Sequence, residues 1–324
     1  DFGLLSVGDH ALAIATDPVF VLRDLGLEKA SWFAFHVVLS DVALSGLPPS
    51  HLAVDLALPP GTDPETFETI WSVFDTEARE LGVSIVTGHT GAYAGASFPT
   101  IGAGTALAVG DPGAVVKPTG ASPGDRVLIT KGPAIETAGI LGTVFGDAID
   151  LPPDVLEAAR ERFFDTSPVT DARVATRAGP VTAMHDATEG GVANALHELA
   201  QASGVGLKID AGAVPIMEGV EAICSHFEID PWEASSSGTV LVTAPPAGAE
   251  QVLNGLTEAG IRAADIGRVV ADESVMKDGT GLPVPETDPF WPTYERADVL
   301  PRALDSALGQ SYSDIEVVVV DDGS

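Results

Sequence analysis

One stretch of the chain has the residue types and spacing for phosphate chemistry. His185-Asp186-Ala187-Thr188-Glu189-Gly190-Gly191-Val192 follows an apolar run, 179–184, and leads into a segment where Val192, Leu196 and Leu199 recur at helical spacing. This pattern predicts a strand, a tight turn and a helix start. Paired glycines let backbone N–H groups approach a ligand closely, and a helix start favours an anion, so phosphate is a natural guest. Asp186, beside the turn, could hold the magnesium that accompanies a polyphosphate. Strand, turn and helix with Gly-Gly at the joint is also ordinary architecture, so the purely structural reading stands beside the chemical one.

The elements that must position this turn can be read from periodicity. Ala11 to Val19 reads as a strand carrying Asp17 at its end, 32–47 as an amphipathic helix carrying Asp41, and 51–58 as a strand. A helix over 64–81 stops at Gly82, a strand over 83–87 runs into the turn Gly88-His89-Thr90-Gly91, and 99–109 is a small-residue strand. A Pro/Gly-rich link between Gly110 and Asp125 separates two domains, predicted at 1–115 and 122–285. Strands at 125–132, 204–209, 238–244 and 261–270 then alternate with helices at 135–145, 152–164, 169–177, 217–227 and 247–259. The predicted class is α+β: two layered domains, followed by a short βα-type C-terminal fragment.

Composition narrows the partners. The 324 residues include 47 acidic and 16 basic side chains, a net charge of −31, so nucleic acid and anionic membrane are disfavoured. Acid spread along the whole chain resembles the surface of proteins from a high-salt cytoplasm, and an apolar fraction of 45% supports packed cores over disorder. The single cysteine, Cys224, excludes an internal disulfide and reads as a buried small hydrophobe. No apolar run is long enough for a membrane span and no signal pattern opens the chain, so a cytoplasmic location is expected.

The blocks His-Asp-Ala-Thr-Glu-Gly-Gly-Val, Ala195-Leu196-His197-Glu198-Leu199-Ala200, Val214-Pro215-Ile216 and Ser237-Gly238-Thr239 hold their order and spacing over about a hundred residues. They resemble the C-terminal half of the aminoimidazole ribonucleotide (AIR) synthase superfamily. Upstream, Thr16-Asp17-Pro18, Ser40-Asp41-Val42-Ala43 and Gly88-His89-Thr90 resemble its N-terminal domain. The resemblance implies that Asp17, Asp41 and Asp186 bind magnesium, and that Asp17, Asp41, Gly88, His89, Thr90, Gly190 and Gly191 contact ATP. It implies Asp186 and Thr188 as catalytic residues and a homodimer formed through the N-terminal domain. Taken singly, Asp17 is a turn former before proline and Asp41 a solvated helix residue. Neutral imidazole suits a hard cation poorly, so His89 is read as bonding a phosphate or orienting the turn. The superfamily closes an N-terminal Gly/Ser-rich segment over the triphosphate; with the chain starting after that point, weaker ATP binding is expected.

Superfamily chemistry uses ATP to activate a poor leaving oxygen, and the wording of the segments leans toward the hydrogenase-maturation branch. That implies phosphoryl transfer to an amide- or carbamoyl-type oxygen of a small molecule or a protein. The branch carries its acceptor cysteine at the C-terminus, where this sequence ends in Ser324. The competing reading is a nucleotide-binding or dimer-forming protein without turnover. Finally, 294–324, ending Val317-Val318-Val319-Val320-Asp321-Asp322-Gly323-Ser324, resembles the start of a family-2 glycosyltransferase. One helix and one strand cannot build a nucleotide-binding sheet, so no transferase activity is expected, and a strand at 315–320 is expected to dock opportunistically or loosely.

Overall fold

A computed structural model of the chain describes residues 2–295; the strand expected at 315–320 and the Asp-Asp-Gly-Ser end lie outside the described residues. The first half contains β1 (Gly3–Val7), β2 (His10–Phe20), α1 (Leu27–Ala43), β3 (His51–Leu58), α2 (Pro64–Leu81), β4 (Ser84–Ala92) and β5 (Thr100–Gly110). Its sheet runs β1-β2-β5-β3-β4, antiparallel except for the β3–β4 pair. Ala11, Ala13 and Ala15 alternate inward along β2, and these small side chains let α1 lie close to the sheet. Asp63 caps α2, accepting from the Thr66 N–H at 2.8 Å, and Gly82 ends it at φ +72, as its type at that position predicts. Helix α1 starts at Leu27 and stops at Ala43, earlier at both ends than the periodicity suggests. Its start follows Gly26, and the turn through Gly46 (φ +76) ends it.

The second half contains β6 (Arg126–Thr130), α3 (Ile135–Val144), α4 (Pro153–Glu161), α5 (Val169–Ala178), β7 (Ala183–Ala187), α6 (Gly191–Ser203) and β8 (Gly206–Ile209). It continues with α7 (Val220–His226), β9 (Ser236–Ala244), α8 (Pro246–Glu258), β10 (Ala263–Val270), β11 (Val275–Lys277) and β12 (Thr280–Gly281). The sheet order is β12-β11-β8-β10-β6-β9-β7, with a parallel β11–β8 pair among antiparallel ones. Both sheets are mixed and open, so the α+β architecture of two layered units holds.

The two halves share a core. Residues of α1 and α2 such as Phe35, Leu39 and Phe74 join Ile140, Leu141 and Phe163 of the second half in one buried apolar cluster. At that junction His36 is buried, with one ring nitrogen 2.7 Å from Ser167 Oγ, the other 3.0 Å from Glu77 Oε2, and its ring over Trp32 at 4.1 Å. The sequence reading takes Tyr294 as the start of a foreign tail, yet Phe290 and Tyr294 are buried in the shared core and Tyr294 Oη donates to Asp24 at 2.9 Å. Aromatic side chains at these two positions fill space between the halves, which a reading of the tail's own pattern does not anticipate.

Candidate active site

Asp17 lies inside β2, which continues to Phe20 beyond a register irregularity at Pro18, where proline has no ladder N–H to give. Directly across in the ladder is Gly104, and a Cβ there would meet Val38 Cγ1 at 2.5 Å. The missing side chain therefore seats α1 low on the sheet, and Asp41, one turn beyond Val38, comes within electrostatic reach of Asp17. Asp186 is on β7, at an edge of the second sheet and opposite Val240.

Charge coupling connects these three groups. Burial, then the Asp41 carboxylate, raises Asp17 to about 6. The same two causes in the same order raise Asp186 to about 6, opposed in part by His185. Asp41, on a helix of the first half, is thus near both a strand of its own half and a strand of the other. Asp17 Oδ2 and Asp186 Oδ2 are buried and have no hydrogen-bond partner among the described residues. Such oxygens are expensive to leave unmatched unless a cation answers them.

Oxygen donors from three elements suit a hard cation. Among the described residues, however, no three His, Cys, Asp or Glu side chains form a ready cage. The donor set fits an ion that completes its octahedron with water and phosphate oxygens, the usual habit of magnesium, and does not fit an all-protein site.

The other expected site residues fall into two groups. Thr188 and Glu189 form an exposed turn after β7, and the Thr188 carbonyl accepts the Gly191 N–H at 3.0 Å. Gly190 (φ +76) and Gly191 (φ +59) both take the left-handed region, and a Cβ on Gly191 would meet Ala234 O at 2.5 Å, so glycine is required there. The Gly190 N–H donates to Asp288 Oδ2 at 2.8 Å. By contrast, Gly88, His89, Thr90 and Gly91 do not form the expected turn. They continue the exposed edge strand β4, in parallel register with Val54 to Ala57. Hydrogen bonding to β3 keeps the segment extended where glycine content alone suggests a bend. Asp17, Gly104, Val54 and Gly88 lie in one row across the sheet, so Gly88 is three strands, roughly 14 Å, from Asp17 within the chain. His89 Nε2 pairs with Tyr93 Oη.

Several polar groups near these turns are not among the expected site residues. Glu136, at the start of α3, is buried, and one carboxylate oxygen accepts the Ser237 N–H at 2.9 Å. Burial raises its pKa, the Ser237 N–H opposes the rise, and the Asp288 and Glu189 carboxylates add to it. Lys131 takes φ +59 at the end of β6 and is buried. Its ammonium donates to the carbonyls of Asp165, Ser167 and Gly238 and pairs with Asp171 at 3.0 Å, tying three segments together. A lysine closing an apolar strand in a lysine-poor chain was the one available signal. His185 Nε2 meets Glu198 Oε2 at 2.8 Å on the wall of a groove of about 620 Å³ that also includes Pro118 and Gln201. Cys224 is buried, and burial followed by Asp230 pushes its thiol up to about 12.

The order of these elements is matched by known families. The model of the AIR synthase related protein N-terminal domain matches residues 1–108, and that of the C-terminal domain matches residues 122–278. The chain belongs to the AIR synthase-related family. A carbamoyl dehydratase HypE of Azotobacter vinelandii is 31% identical over 252 residues, covering 74% of this chain and 69% of that protein. The crystal structure of Escherichia coli HypE, a hydrogenase maturation protein, superposes with a TM-score of 0.74 at 26% identity, covering 87% of this chain and 88% of that one. A HypE solved in complex with ATP, 24% identical and covering 86% of each chain, shares the AIR synthase-related fold with a TM-score of 0.71. The glycosyl transferase family 2 model matches residues 290–324, of which only 290–295 are described. No helix of the described residues is long and apolar enough to cross a membrane.

Proposed function

We propose that this AIR synthase-related chain is an ATP- and Mg2+-dependent enzyme of the hydrogenase-maturation type, transferring a phosphoryl group to an amide- or carbamoyl-type oxygen. The observation that carries this reading is the approach of Asp17, Asp41 and Asp186 from both halves of the molecule, with two buried carboxylate oxygens unmatched. Asp17, Asp41 and Asp186 would hold the magnesium, whose contribution is to neutralise charge on the phosphoryl group in flight. Asp186 on β7 and Thr188 in the turn just after it would be the residues nearest the reacting phosphate. Gly190 and Gly191 offer backbone N–H groups once their turn is free. The likeness to carbamoyl dehydratases supports a carbamoyl or thiocarboxamide oxygen as the acceptor.

Cys224 is not that acceptor, because its thiol is sealed in the core and held protonated. Helices α1 and α2 cover one face of the first sheet. On the other, Leu5, Leu12 and Val109 form a continuous apolar row across β1, β2 and β5, with Leu5 54% and Val109 44% exposed. A second copy packing on this face would form the homodimer and could bring its Gly88–Thr90 strand toward the Asp17 site. Low surface basicity and a net charge of −31 support a cytoplasm of high ionic strength as the setting.

The test is calorimetric titration of Mg·ATP into the full chain and its Asp17→Asn and Asp186→Asn variants, followed by phosphate release with carbamoylated peptides. Micromolar binding lost in both variants is the expected result. Unchanged binding in the two variants would refute the site, and binding without turnover on any carbamoyl or amide substrate would leave the nucleotide-binding protein as the better reading.

A further inference from the structure

The residues between β12 and Glu295 form a strap across the second half, and Asp288 is its anchor. Four donors converge on this one carboxylate: Gly190 N–H at 2.8 Å and Ser235 Oγ–H at 2.7 Å on Oδ2, Ser235 N–H at 3.3 Å and Phe290 N–H at 2.8 Å on Oδ1. Two of the contacted residues, Gly190 and Ser235, are on separate turns that flank the end of β7 and the start of β9. Beyond Asp288 the strap plunges Phe290 and Tyr294 into the core shared by both halves. Four residues before Gly190, on the same strand and turn, Asp186 keeps a buried oxygen with no partner among the described residues.

The carboxylate thus occupies donors that a phosphoryl oxygen would use, in a place where a cation-binding carboxylate is left unmatched. Its neighbours make the arrangement tense. Asp288 and Glu189 both lie within electrostatic range of the buried Glu136 carboxyl. Withdrawing Asp288 would relieve like-charge repulsion on Glu136 and free the Gly190 and Ser235 donors together.

We propose that the Asp288 strap is an autoinhibitory latch, an internal carboxylate that competes with the phosphoryl group of the nucleotide for the Gly190 and Ser235 turns. This rests on the reading that Mg·ATP binds beside Asp186, and it adds how access to that site is regulated. The closed state is the one with Asp288 seated, and nucleotide binding exchanges one anion for another.

The experiment is calorimetric titration of Mg·ATP, and separately of inorganic phosphate with Mg2+, into the full chain and into Asp288→Asn, Asp288→Ser and Asp17→Asn. The amide introduced by Asp288→Asn puts an N–H where an acceptor was, so this variant is expected to tighten Mg·ATP about five-fold or more, the scale of one lost hydrogen bond. Asp288→Ser removes the competing anion while leaving the donors of both turns in place. It should also tighten binding several-fold, which keeps the test alive if Asp288→Asn does not fold. Both changes should lower Tm, since they loosen the strap, whereas a merely structural clasp would lower Tm and leave affinity unchanged or weaker. Unchanged or weaker affinity in both variants, with wild type binding and Asp17→Asn not, overturns the latch while leaving the nucleotide site intact. Absence of binding in wild type and in both latch variants overturns the latch together with the site.

Discussion

At the scale of single residues, the buried aspartates make a stability statement with a definite sign. Asp186 is at about 6 in the folded chain against 3.8 when unfolded, because burial and the nearby Asp41 disfavour its charge. Between those two values the folded state binds more protons than the unfolded one, so this group favours folding at low pH and loses that contribution as pH rises through about 6. At pH 7.5 it is ionised at a cost on the order of 1–3 kcal/mol. Asp186→Asn should therefore raise Tm by roughly 2–5 °C at pH 7.5 and by about half as much at pH 5, where the folded group is protonated but the unfolded one is already ionised, while abolishing Mg·ATP binding. A scanning-fluorimetry series across that range checks it, and a variant destabilised equally at both values would refute the assignment. Saturating Mg2+ with ATP should erase the wild-type deficit at pH 7.5, since the cation answers the same oxygens. Cys224 offers a second residue-scale check. Held near 12 by burial, its thiol should not react with a disulfide reagent at pH 8 until denaturant is added, and rapid labelling of the native chain would contradict its place in the core.

At the scale of elements, the geometry depends on how closely α1 approaches the sheet. Gly104 is the point of closest approach, with Val38 where a Cβ would be. Gly104→Ala should lift α1 at a cost of about 1–3 kcal/mol and weaken Mg·ATP binding as well, because Asp41 moves with the helix. Chemical denaturation paired with titration checks both halves of that expectation, and loss of stability without loss of affinity would detach Asp41 from the site. This dependence also explains what the sequence could reveal. Alternating alanines in β2, the Asp63 cap and Gly82 stop of α2, and the apolar period of α6 are local signals, and the structure follows them. The Gly88–Gly91 segment defeats local reading because its ladder with β3 is a long-range contact that outweighs the turn preference of two glycines. The contacts of Asp288, Glu136 and Lys131 were hidden for the same reason, since they are made with partners 98, 101 and 107 residues away, Gly190, Ser237 and Gly238.

At the scale of the molecule, two properties oppose each other on the uncovered face of the first sheet. The row of Leu5, Leu12 and Val109, extended along β1 by Val7 with 56% exposure, is an apolar surface that a partner should cover. The net charge of −31 makes two copies repel, and the repulsion acts over a Debye length of about 10 Å at 0.1 M salt and about 3 Å at 1 M. Apolar attraction is short-ranged and barely screened, so salt should shift the balance toward association. Sedimentation velocity in 0.1 M and 1 M KCl should show the dimer fraction rising several-fold with salt, at constant protein concentration. Val109→Asp should remove the dimer at both salt levels while changing monomer Tm by less than about 2 °C, because the side chain is almost half exposed in the monomer and its loss leaves no cavity. If Mg·ATP affinity falls in parallel with dimer dissociation, the partner's Gly88–Thr90 strand contributes to the site. If affinity is unchanged in the Val109→Asp monomer, the nucleotide site is complete within one chain and the row of apolar residues serves assembly alone.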